Sequence, residues 1–120
     1  MPPWPVFVGV TIDAVDPHRV ARFWSTLLDV EIEADEDDEI RLARQPRRGV
    51  GVAVQRVQRP TPGKNRVHLD LLVGDLPSAA ARAVALGGVP LDRHQRDGYQ
   101  WQVIADPEGN QFCLVQPPVE

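Results

Sequence analysis

A histidine and an aspartate stand two residues apart, as His68 and Asp70, in the stretch NRVHLDLLVGD at residues 65–75. Side chains alternate between the faces of a strand, so Val67, Leu69, Leu71 and Val73 share one face and His68, Asp70 and Leu72 share the other. An imidazole titrates near neutral pH, at about 6.5, and a carboxylate beside it can orient it. Such a pair suits proton transfer, a metal ligand set, or the polar wall of a pocket. The structural alternative is a satisfied pair, with Asp70 held by Arg66 or by another strand.

Cys113 is the single cysteine of the chain. As a nucleophile it needs thiolate character from a nearby base or positive charge. His68 supplies that only if the two strands meet; otherwise a lone buried cysteine behaves as a small hydrophobe. YQWQV at residues 99–103 alternates aromatic and amide side chains. One set faces the interior and the other a pocket, giving either the Tyr99 and Trp101 platform or the Gln100 and Gln102 amides.

These groups need elements to position them. Residues 6–14, VFVGVTIDA, form a strand pattern with Val8, Val10 and Ile12 on one face. Asp16-Pro17 then opens a helix, since Asp accepts from free N–H groups and Pro suits the first turn. Val20, Phe23, Trp24, Leu27 and Leu28 give that helix its apolar stripe, so Phe23 and Trp24 are expected in the core. Residues 30–43 read as two strands around an acidic turn at Asp35–Asp38, and 49–58 as a further strand. The acidic run and Arg47-Arg48 are expected to be solvated turn residues. The loop-like RPTPGKN at 59–65 is read as a linker.

The pattern then repeats: the quoted strand, a helix capped by Asp75 and ended by Gly87-Gly88, strands at 89–97 and 98–106 about an Asp97-Gly98 turn, a PEGN turn, and a last strand at 111–116. A shift of 59 residues lays Gly9 on His68, Thr11 on Asp70 and Asp16 on Asp75. Faces and caps agree although identities do not, as expected of an internal duplication. The fold class expected is therefore α+β, a single domain over residues 1–120 built of two βαβββ modules at 6–58 and 66–117. One helix per module would lie outside a partly closed, cup-shaped eight-stranded sheet, with His68 and Asp70 on the uncovered face.

Composition narrows the function. A chain of 120 residues makes one compact domain. A net charge of −4 without a Lys/Arg stripe argues against nucleic acid. No apolar run approaches the roughly 20 residues of a membrane span, and the opening MPPWPVFVGV lacks the pattern of a signal peptide. With one cysteine and no disulfide framework, a cytoplasmic protein is expected.

The sequence resembles the vicinal oxygen chelate superfamily of glyoxalases, extradiol dioxygenases and bleomycin- and fosfomycin-resistance proteins, and most of all its glyoxalase-like branch. Asp16-Pro17, Phe23-Trp24, Lys64 to Leu71 and Ala105 to Cys113 carry the resemblance, across roughly residues 6–117. It implies paired βαβββ modules and often a homodimer. It also implies metal ligands on the first and last strand of each module. Carried over, those positions are Gly9 and His68, Cys113 where Glu is usual, and Ala53 or Gln55. Gly9 has no ligating atom, and a histidine with a cysteine is no magnesium or manganese site. Zinc accepts both but needs three or four ligands, so Asp70 and Cys113 would have to converge on His68.

The expectation is thus a protein that binds a small organic molecule without metal or other cofactor, through Thr11, Gln55, His68, Asp70, Trp101, Gln102 and Cys113. It is expected to be a homodimer with no nucleic-acid or membrane partner. The alternatives are a metal-independent lyase or isomerase using His68 and Asp70 as acid and base, and a metal-dependent glyoxalase or dioxygenase.

Overall fold

The structure, a computed structural model, describes residues 3–4, 7–47, 49–65 and 67–119. Val6 at the expected strand start, Arg48 of the expected solvated turn, and Arg66 as a partner for Asp70 lie outside the described residues. The chain divides into two compact units, Met1–Pro60 and Thr61–Glu120.

The first unit runs β1 (Gly9–Ala14), α1 (Pro17–Leu28), β2 (Ile32–Asp35), β3 (Glu39–Leu42) and β4 (Gly51–Arg56). Its sheet has the order β1-β4-β3-β2, with β1 parallel to β4 and the other pairs antiparallel. The Asp16 carboxylate accepts from the Arg19 N–H at 3.3 Å, and Pro17 opens the first turn. Asp29, left-handed at φ 55°, closes the helix. Val20, Phe23 and Trp24 of the apolar stripe are buried, together with Ala21, while Leu27 and Leu28 at the end of the stripe are half-buried. The buried side chains pack with Ile12, Ala14, Ile40, Leu42 and Val54, which the strand register puts on a single sheet face. Phe23 and Trp24 meet edge to face, with ring centres 5.5 Å apart.

The second unit repeats the plan: β5 (Leu69–Leu72), α2 (Leu76–Ala85), β6 (Val89–Arg96), β7 (Tyr99–Ala105) and β8 (Gln111–Gln116), in sheet order β5-β8-β7-β6 with β5 parallel to β8. The molecule is therefore α+β, two βαβββ modules built on two open four-stranded mixed sheets. Leu76, Ala83, Ile104, Phe112 and Leu114 form this unit's core. Asp97 and Gly98 both have positive φ, 53° and 82°, which makes the two-residue hairpin whose twist matches paired strands.

Two expectations about the quoted stretch need correction. β5 begins at Leu69, so Val67 lies outside the ladder and is 81% exposed instead of sharing the helix-covered face. Asp75 precedes α2 but makes no side-chain bond to a helix N–H. Ser78 donates its hydroxyl to Asp75 instead, and the Leu76 N–H goes to Gln116 Oε1 of β8 at 2.6 Å. The helix start is tied to the sheet, not to its own cap.

Candidate functional site

In the second unit, strand register decides what stands beside His68 and Asp70. Asp70 pairs with Cys113, Leu72 with Val115, and Val115 in turn with Trp101. Alternation then puts Asp70, Leu72, Cys113, Val115, Trp101 and Tyr99 on one face. The core residues Leu114, Ile104 and Phe112 occupy the opposite face, where α2 packs. The first face borders a hollow of about 590 Å³, with His68, Asp70 and Cys113 in one part of its lining and Tyr99, Trp101 and Arg96 in another.

His68 Nε2 stands 3.3 Å from Asp70 Oδ1, and both side chains are about half exposed to solvent. Cys113 is 7% exposed. Burial pushes its thiol up from the ordinary range, and the charge and hydrogen bonding of Asp70 push it the same way, against a smaller opposing effect of Lys64. A thiol held protonated is a poor nucleophile. Nucleophilic catalysis by Cys113 is therefore the least favoured chemistry of this face. The ligand atoms of His68, Asp70 and Cys113 nevertheless lie within 4.8 Å of one another.

The open question over YQWQV is answered by packing. Tyr99 and Trp101 look into the hollow, and His94 of β6 stacks on Trp101 with ring centres 5.4 Å apart and planes 26° from parallel. Gln102, expected among the ligand-binding residues, is buried on the other face. There its Nε2 donates to the carbonyls of Leu91 and Asp92, and its Oε1 accepts from Arg93 Nε. The register of β6 shifts between Pro90 and Arg93, so Gln102 satisfies backbone that the irregular edge leaves unpaired. That duty removes it from the hollow.

Thr11 and Gln55 belong to the first unit. Thr11 borders a separate hollow of about 540 Å³, with Glu33, Arg41 and Arg44 over a floor containing Gly9 and Gly51. Arg44 Nη2 donates to the Val8 carbonyl there. Gln55 is not in that lining; its amide donates to Asp13 Oδ1 at 2.9 Å. The positions that the resemblance marks for metal in this unit are thus a glycine, an alanine and an engaged amide. A Cβ on Gly9 would sit 3.0 Å from the Gly51 carbonyl oxygen, so even a side chain is crowded at that point. This donor set does not fit the hard divalent ion of a four-ligand site shared by both modules.

Sequence reasoning overlooked three supporting residues. Asn65 Nδ2 donates to the carbonyls of Val67 and Gln111, while its Oδ1 accepts from the Gln111 N–H at 2.8 Å. This amide prolongs the β5–β8 pairing and steadies the approach to His68. Arg96 and His94 were hidden in a strand exposed along its whole length, where no burial pattern marks a face.

No curated protein sequence matches this chain. The solved structures similar to it include a glyoxalase-related enzyme from Fulvimarina pelagi, at 20% identity and TM-score 0.76, covering 93% of this chain and 88% of that one. A glyoxalase/bleomycin resistance protein/dioxygenase family enzyme from Burkholderia phytofirmans PsJN matches at 14% identity and TM-score 0.79, over 92% and 97%. The fosfomycin resistance protein FosX from Mesorhizobium loti matches at 17% identity and TM-score 0.73, over 99% and 96%. At such identities the likeness speaks for the fold alone. The sequence model of the glyoxalase-like domain matches residues 9–115, nearly the whole chain, and the protein belongs to that family.

Proposed function

We propose that the protein binds a small organic molecule in the hollow of its second unit, without the hard divalent ion of metal-dependent relatives. The observation that carries this reading is the Trp101 ring, backed by His94 at 5.4 Å and flanked by Tyr99, on the face that also bears His68 and Asp70. A flat aromatic wall supplies contact area at small entropic cost, and the few polar groups give orientation. The ligand class this suits is a planar or partly aromatic compound with a hydrogen-bonding end toward His68 and Asp70. A thermal-shift screen of metabolites and antibiotics, run with a chelator, tests it, because a ligand specific for the native state raises the melting temperature. Hits are expected among aromatic compounds, and Trp101→Ala is expected to lose their shifts. Hits that persist undiminished in Trp101→Ala would rule the aromatic wall out.

A second reading rests on the 3.3 Å approach of His68 to Asp70: acid–base chemistry in a lyase or isomerase. With a ligand in hand, His68→Ala separates the two. Lost turnover with retained affinity supports the enzyme; turnover unchanged by the substitution excludes it. We also propose a cytoplasmic homodimer, which light scattering on purified protein and cell fractionation address.

A further inference from the structure

We propose that a second copy of this chain docks on the free edge of β6, antiparallel to it, with the two-fold axis at His94. The inference rests on the homodimer reading and names the surface that would make the dimer. β6 ends the sheet order β5-β8-β7-β6, pairs with β7 alone and is exposed over all eight of its residues. An unpaired strand edge is a template for another strand. The hairpin fixes which backbone groups face outward. Arg96 and Tyr99 flank the two-residue Asp97-Gly98 turn as its closing pair, the kind that exchanges both hydrogen bonds. Alternation then turns the N–H and C=O of His94 toward β7, and those of Arg93 and Gln95 toward the open side. Pro90 and the register shift ahead of Arg93 spoil the edge further back. Backbone pairing is thus confined to residues 93–96, with Asp92 just beyond.

Charge selects the register. With His94 opposite the partner's His94, Arg93 meets the partner's Gln95 and Gln95 meets the partner's Arg93, so the outward backbone groups bond in both directions. Asp92 then stands opposite the partner's Arg96, and Arg96 opposite the partner's Asp92, at the positions where cross-strand side chains come closest. Asp92 has no ion-pair partner among the described residues. Arg96 has only Asp97, at 3.9 Å, and its side chain is 83% exposed. An axis at Arg93 would set Arg93 against the partner's Arg93. An axis at Gln95 would set Arg96 against the partner's His94 and take Asp92 out of reach. Only the His94 axis opposes unlike charges. It also brings the aromatic walls of the two copies together on one sheet face, since His94 backs Trp101.

The test is sedimentation equilibrium of the full chain over a range of concentrations at neutral pH. The parent is expected as a dimer in exchange with monomer. Asp92→Arg places like charges opposite each other at both ends of the contact and should weaken the dimer about tenfold or more. Asp92→Arg combined with Arg96→Asp reverses both pairs and should recover the parent's association. Gln95→Pro removes an outward N–H without touching the β7 ladder, so that variant should stay folded and run as a monomer. Circular dichroism confirms that each variant is folded. A monomeric parent would overturn this proposal together with the homodimer reading. A dimeric parent whose association survives either Asp92→Arg or Gln95→Pro would overturn the β6 interface and leave the homodimer standing. So would a charge swap that fails to restore the association lost in Asp92→Arg.

Discussion

Asp106 is only 1% exposed, yet it carries a carboxylate. Its role is visible in its bonds. Oδ1 accepts the backbone N–H groups of Glu108 and Asn110 at 2.9 and 3.0 Å, and Oδ2 accepts the Asn110 amide at 2.9 Å. The carboxylate thus organises the DPEGN turn that delivers β8, and with it Cys113, to the sheet. Gly109 completes the turn at φ 91°. A motif that reads as a family signature is here a structural device. Asp106→Ala leaves partly buried N–H donors without their acceptor, and each such loss costs about 1–3 kcal/mol. A loss of about 2–3 kcal/mol is expected from urea denaturation, with Asp106→Asn milder because its amide oxygen still accepts. Equal midpoints for Asp106→Ala and the parent would contradict this role.

Among the elements, α1 is tied to the β2–β3 turn by His18, whose Nε2 lies 3.0 Å from Asp35 Oδ2 and 3.6 Å from Asp37 Oδ1. The Asp37 backbone N–H donates to Asp35 Oδ1 at 2.9 Å. That bond, opposed by slight desolvation and aided by His18, holds the Asp35 carboxyl below the usual carboxylate range. A carboxylate lowered by folding stabilises the native state above the unfolded value of about 3.9, and this contribution disappears as pH falls through the lower folded value. Asp35→Asn should therefore be less stable than the parent at neutral pH. The difference should shrink as pH drops below about 4. Urea midpoints taken across that range check it, and parallel curves would refute it. The elements themselves were largely legible in sequence, because apolar periodicity and the Asp16-Pro17 cap are local signals. Alternation also placed Asp70 on the uncovered face, whereas His68, expected in the strand, stands just ahead of the ladder and borders the hollow from there. Two things were not legible. The start of the ladder at Leu69 goes with the Asn65 amide, which takes the N–H and carbonyl of Gln111, the residue of β8 just before the first ladder pair. The face taken by Trp101 depends on Gln102 being drawn to the irregular β6 edge, which is a tertiary demand.

At the scale of the whole molecule, the two units share a topology and differ in chemistry. The same sheet face carries Gly9, Thr11, Gly51 and Ala53 in the first unit, and Asp70, Leu72, Cys113 and Trp101 in the second. The first unit thus presents small residues at positions where the second presents aromatic, thiol and acidic groups. Arg41 and Arg44 give the first hollow a local positive charge beside Glu33, whereas the second is lined by Asp70 and Asp97 against Arg96. If recognition is confined to the second unit, removing the Thr11 hydroxyl by Thr11→Val, which keeps shape and volume, should leave a ligand's thermal shift unchanged. Trp101→Ala should lose it, since stripping an aromatic anchor from a binding surface costs about 2 kcal/mol or more. Isothermal titration with the same ligand and both variants gives the comparison as affinities. A drop in affinity for Thr11→Val would overturn the confinement of recognition to the second unit.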